Sequence, residues 1–355
     1  MRATGGASGI ELRVISLNCT VTDSASPLSD ITLSLLDLAS VAPDSTVAQA
    51  LQNSTELARY ADAHGYERIW YAEHHNMPTI ASSAPAVLIA LIAAHTERIR
   101  LGSGGVMLPN HSPLAIAEQF GTLAELHPGR IDLGLGRAPG GDQAVFHALR
   151  RNPNAAEQFP RDVVELLRYF SGVGVDGVQA NPGAGTNVPL YILGSSLFGA
   201  QLAAAVGLPY AFASHFAPQA LEQAIEIYLR DFRPAKLPDG GESEPYVMAA
   251  AAVIADDDPA RAEAELHKAM VGRIKHLFNR GRSLTDEEAE MLLDSPQGAQ
   301  VREMLRYAAV GTPDQVREQL ASFARHARAD ELILAPLAGD HEVVMSTVAH
   351  LAPEA

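Results

Sequence analysis

Cysteine is nearly missing from this sequence. Cys19 stands alone among 355 residues, so no internal disulfide framework can form, and a single thiol fits a reducing, cytoplasmic setting. Long apolar runs are missing as well. No stretch approaches the roughly 20 residues needed to cross a bilayer, and the N-terminus lacks the basic-then-apolar order of an export signal. Positive charge is scarce: 26 basic residues face 42 acidic ones, for a net charge of −16. Phosphate backbones and anionic membranes require a basic footprint, so neither nucleic acid nor membrane is expected as a partner. Also absent are a His-Glu-x-x-His pair, a cysteine cluster, a Walker loop and a dinucleotide glycine turn. The nearest string to that turn, Gly134-Leu135-Gly136, lacks its third glycine. No metal is therefore expected, and Rossmann-type or kinase-type binding is excluded.

What is present is a globular composition, 47% hydrophobic and 19% charged, on a chain long enough for one large α/β barrel. Residues 1–29 show no sustained period and read as a tail, with a short strand at Leu12–Leu17. From Ile31 onward, strand-like and helix-like segments alternate. Strands are predicted at 31–36, 68–72, 99–101, 130–135, 189–193, 209–213, 246–254 and 331–335. Helices are predicted at 46–64, 84–96, 113–126, 160–170, 196–206, 218–231, 258–279, from Thr312 onward, and at 340–350. The first four strand starts lie 37, 31 and 31 residues apart, the length of a βαβ unit. Thr46 with Gln49, and Thr312 with Gln315, stand in capping-box positions. Eight continuous apolar strands, each followed by a helix, predict a (β/α)8 TIM barrel over residues 30–355, with an open doubly wound sheet as the alternative. Two excursions interrupt it, a Gly-, Asn- and Pro-rich one at 171–187 and a charged helical one at 280–310.

In such a barrel the chemistry collects at the C-terminal ends of the strands. Four consecutive strand ends carry unusual sequence: Glu73-His74-His75-Asn76, Pro109-Asn110-His111, Gly136-Arg137-Ala138-Pro139 and Gly194-Ser195-Ser196. The strand starts look like plain turns, as in His64-Gly65-Tyr66 and His127-Pro128-Gly129. Residues 99–113 organise the rest. Gly102, Gly104 and Gly105 remove side chains, and Val106, Met107 and Leu108 form an apolar wall. Asn110 and His111 cap its tip, and Ser112-Pro113 starts a helix. This reads equally as a seat for a planar ligand or as a β-bulge with a tight turn. Gly194, Ser195 and Ser196 open a helix with Gly199 in its first turn, an arrangement suited either to an anion or to simple capping. Arg137 can supply a countercharge. The candidate acid–base groups are His74, His75 and His111. Adjacent His74 and His75 point to opposite sides of an extended chain, so one is expected to face the mouth while the other bonds structurally, with Glu73 orienting one of them.

These segments together resemble the luciferase-like monooxygenase family. The likeness runs from about Ile31 to Leu351. It is densest in Trp70–Asn76, Arg100–Pro113, Glu118–Leu123 and His127–Arg137. The resemblance implies a barrel that binds FMN at its C-terminal rim, with the Gly104–Gly105 bond matching a non-proline cis peptide beside the flavin ring. It implies FMN contacts from Gly104, Gly105, Val106, Met107 and Asn110. Arg137, Gly194, Ser195, Ser196 and Gly199 would hold the phosphate, with Gly199 replacing a hydroxyl residue and so leaving one donor fewer. His74 would sit near the reactive flavin. The implied reaction uses reduced FMN from a separate flavin reductase and dioxygen. It oxygenates a small organic substrate through a flavin 4a-hydroperoxide sheltered by Val106, Met107 and Leu108. A homodimer joined through helices 84–96 and 113–126 is the implied assembly. Reduced-deazaflavin hydride transfer and non-catalytic FMN binding are the rival readings.

Overall fold

The computed structural model describes residues 28–138, 143–278 and 284–353. The strand expected at Leu12–Leu17 lies outside them. Among the described residues nine parallel strands share one sheet: β1 (Thr32–Asp37), β2 (Arg68–Tyr71), β3 (Arg100–Met107), β4 (Ile131–Gly136), β5 (Leu190–Gly194), β6 (Tyr210–Phe212), β7 (Val247–Ala255), β8 (Ala309–Gly311) and β9 (Glu331–Pro336). Eight of them close into a ring. Strands β1 to β7 pair in sequence order, β7 pairs with β9, and β9 pairs back with β1. Leu332 of β9 lies between Ala249 of β7 and Leu33 of β1, so the sheet has no open gap there and the doubly wound alternative is excluded.

The helices between the strands are α1 (Val47–Ala63), α2 (Pro85–Ala93), α3 (Pro113–Leu126), α4 (Gln143–Ala148), α5 (Phe159–Phe170), α6 (Leu197–Val206), α7 (Leu221–Asp231), α8 (Pro259–Leu277), α9 (Asp286–Leu293), α10 (Pro296–Met304), α11 (Pro313–Ala327) and α12 (His341–Leu351). Helix α4, in the stretch between β4 and α5, has no counterpart in the sequence reading. The 280–310 excursion resolves into α9, α10 and the short β8. Strand β8 pairs only with the top of β7, at Val253–Ala255, and stays outside the ring. Thr312 and Gln315 form the full capping box. At α1, Thr46 accepts from the Gln49 N–H, but the Gln49 side chain turns to Asn53 at 2.9 Å, so only half of that box exists. Leu28, assigned to the tail, is buried in a short turn against α11.

The 171–187 excursion is anchored rather than free. Ala180 is fully buried and Val188 nearly so. A Cβ added to Gly121 of α3 would lie 2.3 Å from the Cα of Gly183, so two glycines let the segment lie directly on that helix.

The strands bury both faces. Leu35, Ile69, Leu101, Leu133 and Leu135 point to the helix layer, while Leu36, Trp70, Ala72, Tyr191, Met248, Ala250 and Ile333 fill the barrel interior. The N-terminal mouth of the barrel, expected to be plain, is closed by charge. Arg68 donates from Nε and Nη2 to Glu331 at 2.8 and 3.1 Å, and from Nη1 to Asp132 at 2.6 Å and to the Tyr191 hydroxyl at 2.9 Å. Arg100 and the indole N–H of Trp70 also reach Asp132, while Ser34 and Tyr246 reach Glu331. Burial disfavours the Arg68 cation, yet Asp132 and Glu331 outweigh it and hold the guanidinium charged. Among the described residues no helix is long and apolar enough to cross a membrane.

Candidate active site

The strand register carries the site residues to one rim. Met107 at the end of β3 lies beside Gly136 at the end of β4, Gly136 lies beside Leu193 of β5, and Gly194 lies beside Phe212 of β6. Parallel strands in a ring share one C-terminal face. His74, Arg137, Ser195, Ser196 and the loop after β6 therefore surround a common mouth.

Glu73, fully buried just past β2, ties this rim together. Its Oε2 accepts the Met107 N–H at 3.0 Å. Its Oε1 lies 2.8 Å from both His75 Nε2 and His111 Nε2, and 3.4 Å from Asn110 Nδ2. Burial opposes ionisation of this carboxyl. The hydrogen bond and charge of His111, followed by the bonds from His75 and Met107, outweigh burial and hold its pKa below the ordinary value. Two imidazoles on one carboxylate suggest a metal triad, but the separations are those of hydrogen bonds. Among the described residues no group of three or more His, Cys, Asp or Glu is arranged to hold an ion. His75, His111 and Asn110 thus brace β2 against β3. His74 is not held by Glu73 in this way. Its backbone N–H donates to Ser82 O at 3.0 Å, while its imidazole Nδ1 is buried without a hydrogen-bond partner among the described residues. Burial lowers its pKa, opposed by Glu73 and aided by His75 and His276, so the ring is neutral at pH 7. Of the expected pair, His75 is the one that bonds Glu73, and the Nδ1 of His74 has no partner among the described residues.

Two expectations for the glycine segment need correction. The places where Gly102 and Gly104 lack side chains are filled by the protein. A Cβ on Gly102 would lie 2.6 Å from Trp70 Nε1, and one on Gly104 would lie 2.8 Å from Leu36 Cδ1. A Cβ on Gly105 would meet the Gly134 carbonyl at 2.8 Å. At their Cβ positions these glycines admit the packed interior and the neighbouring strand. The apolar wall is also narrower than expected. Val106 and Leu108 turn into the helix-side core, and only Met107 is part-exposed at the rim. The cause is a bulge in the β3–β4 ladder between Ser103 and Val106, which adds one residue and reverses the alternation beyond it. Val106 offers a ligand only its backbone. The Gly104–Gly105 bond is cis, as the resemblance implies.

Across the mouth, the first N–H groups of α6 have no side-chain cap among the described residues. Ser196 sits at the cap position with extended backbone, but its hydroxyl makes no capping bond. Beside it, among the described residues, a Cβ added to Gly194 would meet only the Gly199 Cα, at 3.9 Å. Gly199 itself gives way to the ring of Tyr210, whose hydroxyl donates to Ser196 O at 3.1 Å. Arg137 Cζ lies 4.1 Å from the ring centroid of Phe198 in the first turn of α6, which parks the guanidinium at that helix start. Uncapped N–H groups, two hydroxyls, a glycine at position 194 and a neighbouring cation are groups that can hold a phosphate-sized anion.

Sequence reasoning missed two further groups. His215, just past β6, has a buried Nδ1 with no partner among the described residues. Its pKa is pushed down to about 3 by burial, then by Arg273 and His74. Arg273, on α8, stands in the same electrostatic neighbourhood. A histidine directly after a predicted strand was a signal for the first, but nothing in the local sequence around Arg273 announced its reach.

Comparison with known proteins agrees with this geometry. The sequence profile of the luciferase-like monooxygenases matches residues 31–331. A protein of Escherichia coli strain K12 named luciferase-like monooxygenase is 45% identical over 317 residues, covering 88% of this chain and 93% of its own. The N-acetyl-S-alkylcysteine monooxygenase of Bacillus subtilis strain 168 is 35% identical over 316 residues, covering 86% and 92%. The crystal structure of apo-MsnO8 superposes with a TM-score of 0.81 at 35% identity, over 92% of this chain and 97% of that one. More distant chains of the same fold include the oxygenating constituent of 3,6-diketocamphane monooxygenase from Pseudomonas putida, solved with FMN. It has a TM-score of 0.70 at 16% identity, covering 91% and 98%. A coenzyme F420-dependent tetrahydromethanopterin reductase from Methanopyrus kandleri has a TM-score of 0.63 at 18% identity, covering 90% and 97%.

Proposed function

The chain belongs to the luciferase-like monooxygenase family, and from that premise we propose that it is an FMN-dependent monooxygenase. It would take reduced FMN from a separate flavin reductase and insert one atom of dioxygen into a small organic substrate. The observation that carries this reading is the pairing, across one mouth, of an unpartnered neutral imidazole with an uncapped helix start flanked by Arg137. The residues fit the cofactor. Gly194 puts no side chain in the way of a phosphate, Ser195, Ser196 and Arg137 would hold it, and the backbone of Gly104–Met107 would lie along a planar ring. When bound, the reduced flavin supplies the electrons that activate dioxygen.

The chain's own part is positioning and protection. Glu73 fixes the ends of β2 and β3 against each other, so His74 is aimed into the mouth from a rigid base. A neutral His74 can donate or accept one proton at Nδ1 where charge develops on the reacting atoms. Met107 keeps water off that face. For a homodimer the surface we favour is α2, where Val87 and Leu91 stand exposed.

The test is anaerobic mixing with reduced FMN, followed by oxygen, on wild type and His74→Ala. Wild type should bind reduced FMN and consume oxygen in step with product formation from a turned-over substrate. An unchanged oxygenation rate in His74→Ala would remove that residue's role. F420-dependent neighbours share this fold, so titration with reduced FMN and reduced F420 side by side decides the cofactor.

A further inference from the structure

Arg273 is an anomaly in an acidic protein. It lies half-buried on α8, and among the described residues no hydrogen bond or ion pair engages it. Burial disfavours its charge, and among the described residues no carboxylate offsets that. Arg68 and Arg100, by contrast, are met by buried carboxylates. A partly desolvated guanidinium without an anion is unfavourable, and a ligand anion would relieve it.

Its surroundings fit that role. Arg273 acts on His215, His74 acts on His215, and His276 acts on His74, so the four groups gather from α8 and from the ends of β6 and β2. Arg273 and His276 stand three residues apart and share one face of α8. The Nδ1 atoms of His215 and His74 are both buried and unpartnered among the described residues. Glu73, the acid nearest His74, is engaged by Met107, His75 and His111. The cluster is therefore cationic or neutral throughout. It spans the ends of β2 and β6, and β6 pairs with β5, whose Gly194 lies beside Phe212.

We propose that this protein acts on organic carboxylates. The planar fork of Arg273 would seat the substrate's carboxylate, with His215 as an adjoining donor and His74 toward the reacting end. A guanidinium matches a carboxylate with two parallel hydrogen bonds, which a neutral amide or aldehyde cannot reproduce. The proposal takes its word substrate from the monooxygenase reading. The binding preference itself is independent of turnover.

Calorimetric titration with hexanoate, hexanamide and inorganic phosphate tests it, using the chain with and without FMN. Wild type should bind hexanoate at least tenfold more tightly than hexanamide. Arg273→Gln should erase that preference, and Arg273→Lys should keep part of it. The affinity for FMN should stay within twofold in both variants. Equal binding of hexanoate and hexanamide by wild type would overturn the proposal. So would a tenfold loss of FMN affinity in Arg273→Gln with riboflavin binding unchanged, since Arg273 would then serve the cofactor phosphate. Failure of oxygen uptake with every substrate would instead count against the monooxygenase reading and leave the carboxylate preference standing.

Discussion

Replacing Glu73 by Gln preserves shape and removes the means by which one side chain holds two strand ends. Oε2 receives the Met107 N–H, while Oε1 receives His75, His111 and the more distant Asn110. An amide has one acceptor oxygen. If the new NH2 group faces Met107, two N–H groups oppose each other in a buried place, and leaving a buried donor unsatisfied costs about 1–3 kcal/mol. The imidazole bonds remain but lose their charge assistance, roughly 1 kcal/mol each. The sum is about 3–5 kcal/mol, rising when the amide faces the histidines instead. Equilibrium urea unfolding at pH 7 measures it.

A pH series then separates charge from shape. The folded pKa of Glu73 is lowered, so its contribution is present above the unfolded value of 4.5 and is lost as pH falls through the folded one. Wild type and Glu73→Gln should converge in stability below pH 4.5. A gap under 1 kcal/mol at neutral pH, or one that stays constant into acid, would refute the reasoning about this rim.

Three further outcomes follow from the geometry. Arg137→Ala should weaken FMN binding ten- to a hundredfold, about 1.4–2.8 kcal/mol, and leave riboflavin affinity unchanged. Equal losses for both would place Arg137 away from the phosphate. Arg68→Met strands Asp132 and Glu331 without their shared cation and should cost about 3–5 kcal/mol in urea unfolding, while a loss under 1 kcal/mol would mean water reaches them. His215 is neutral when folded, with a pKa of about 3, whereas the unfolded chain takes up its proton below about pH 6.5. Stability should therefore decline from pH 6.5 toward 3, and His215→Gln should flatten that decline in a series of melting temperatures.

The barrel was legible because its strands are buried on both faces. Runs such as Val247–Ala255 and Leu332–Ala335 read as apolar without alternation, and the helices between the strands carry clear starts at Pro113 and Thr312. The histidine pair was legible up to symmetry: alternation separates His74 from His75, but only the position of Glu73 decides which one it bonds. The β3 wall was misread at Val106 because a single extra residue in the ladder reverses the faces, and a bulge among glycines leaves no trace in residue type. Spacing could not expose the charge network either. Arg68 finds Glu331 across 263 residues, and Asp132 and Glu331 each look like ordinary strand starts in isolation. Arg273 belongs to the same class, a helix residue whose meaning depends on what it lacks.

The network at the barrel's floor has a consequence for how the chain is made. Arg68 emerges early in synthesis, and its second carboxylate, Glu331, arrives only with the final strand. Until then the guanidinium has Asp132 but an empty opposite flank, and Ser34 and Tyr246 have no acceptor in Glu331. A polypeptide cut short before residue 331 therefore carries an internal mark of being unfinished, a half-met cation at the bottom of an unsealed cylinder, and it should be the form that cellular proteases clear first.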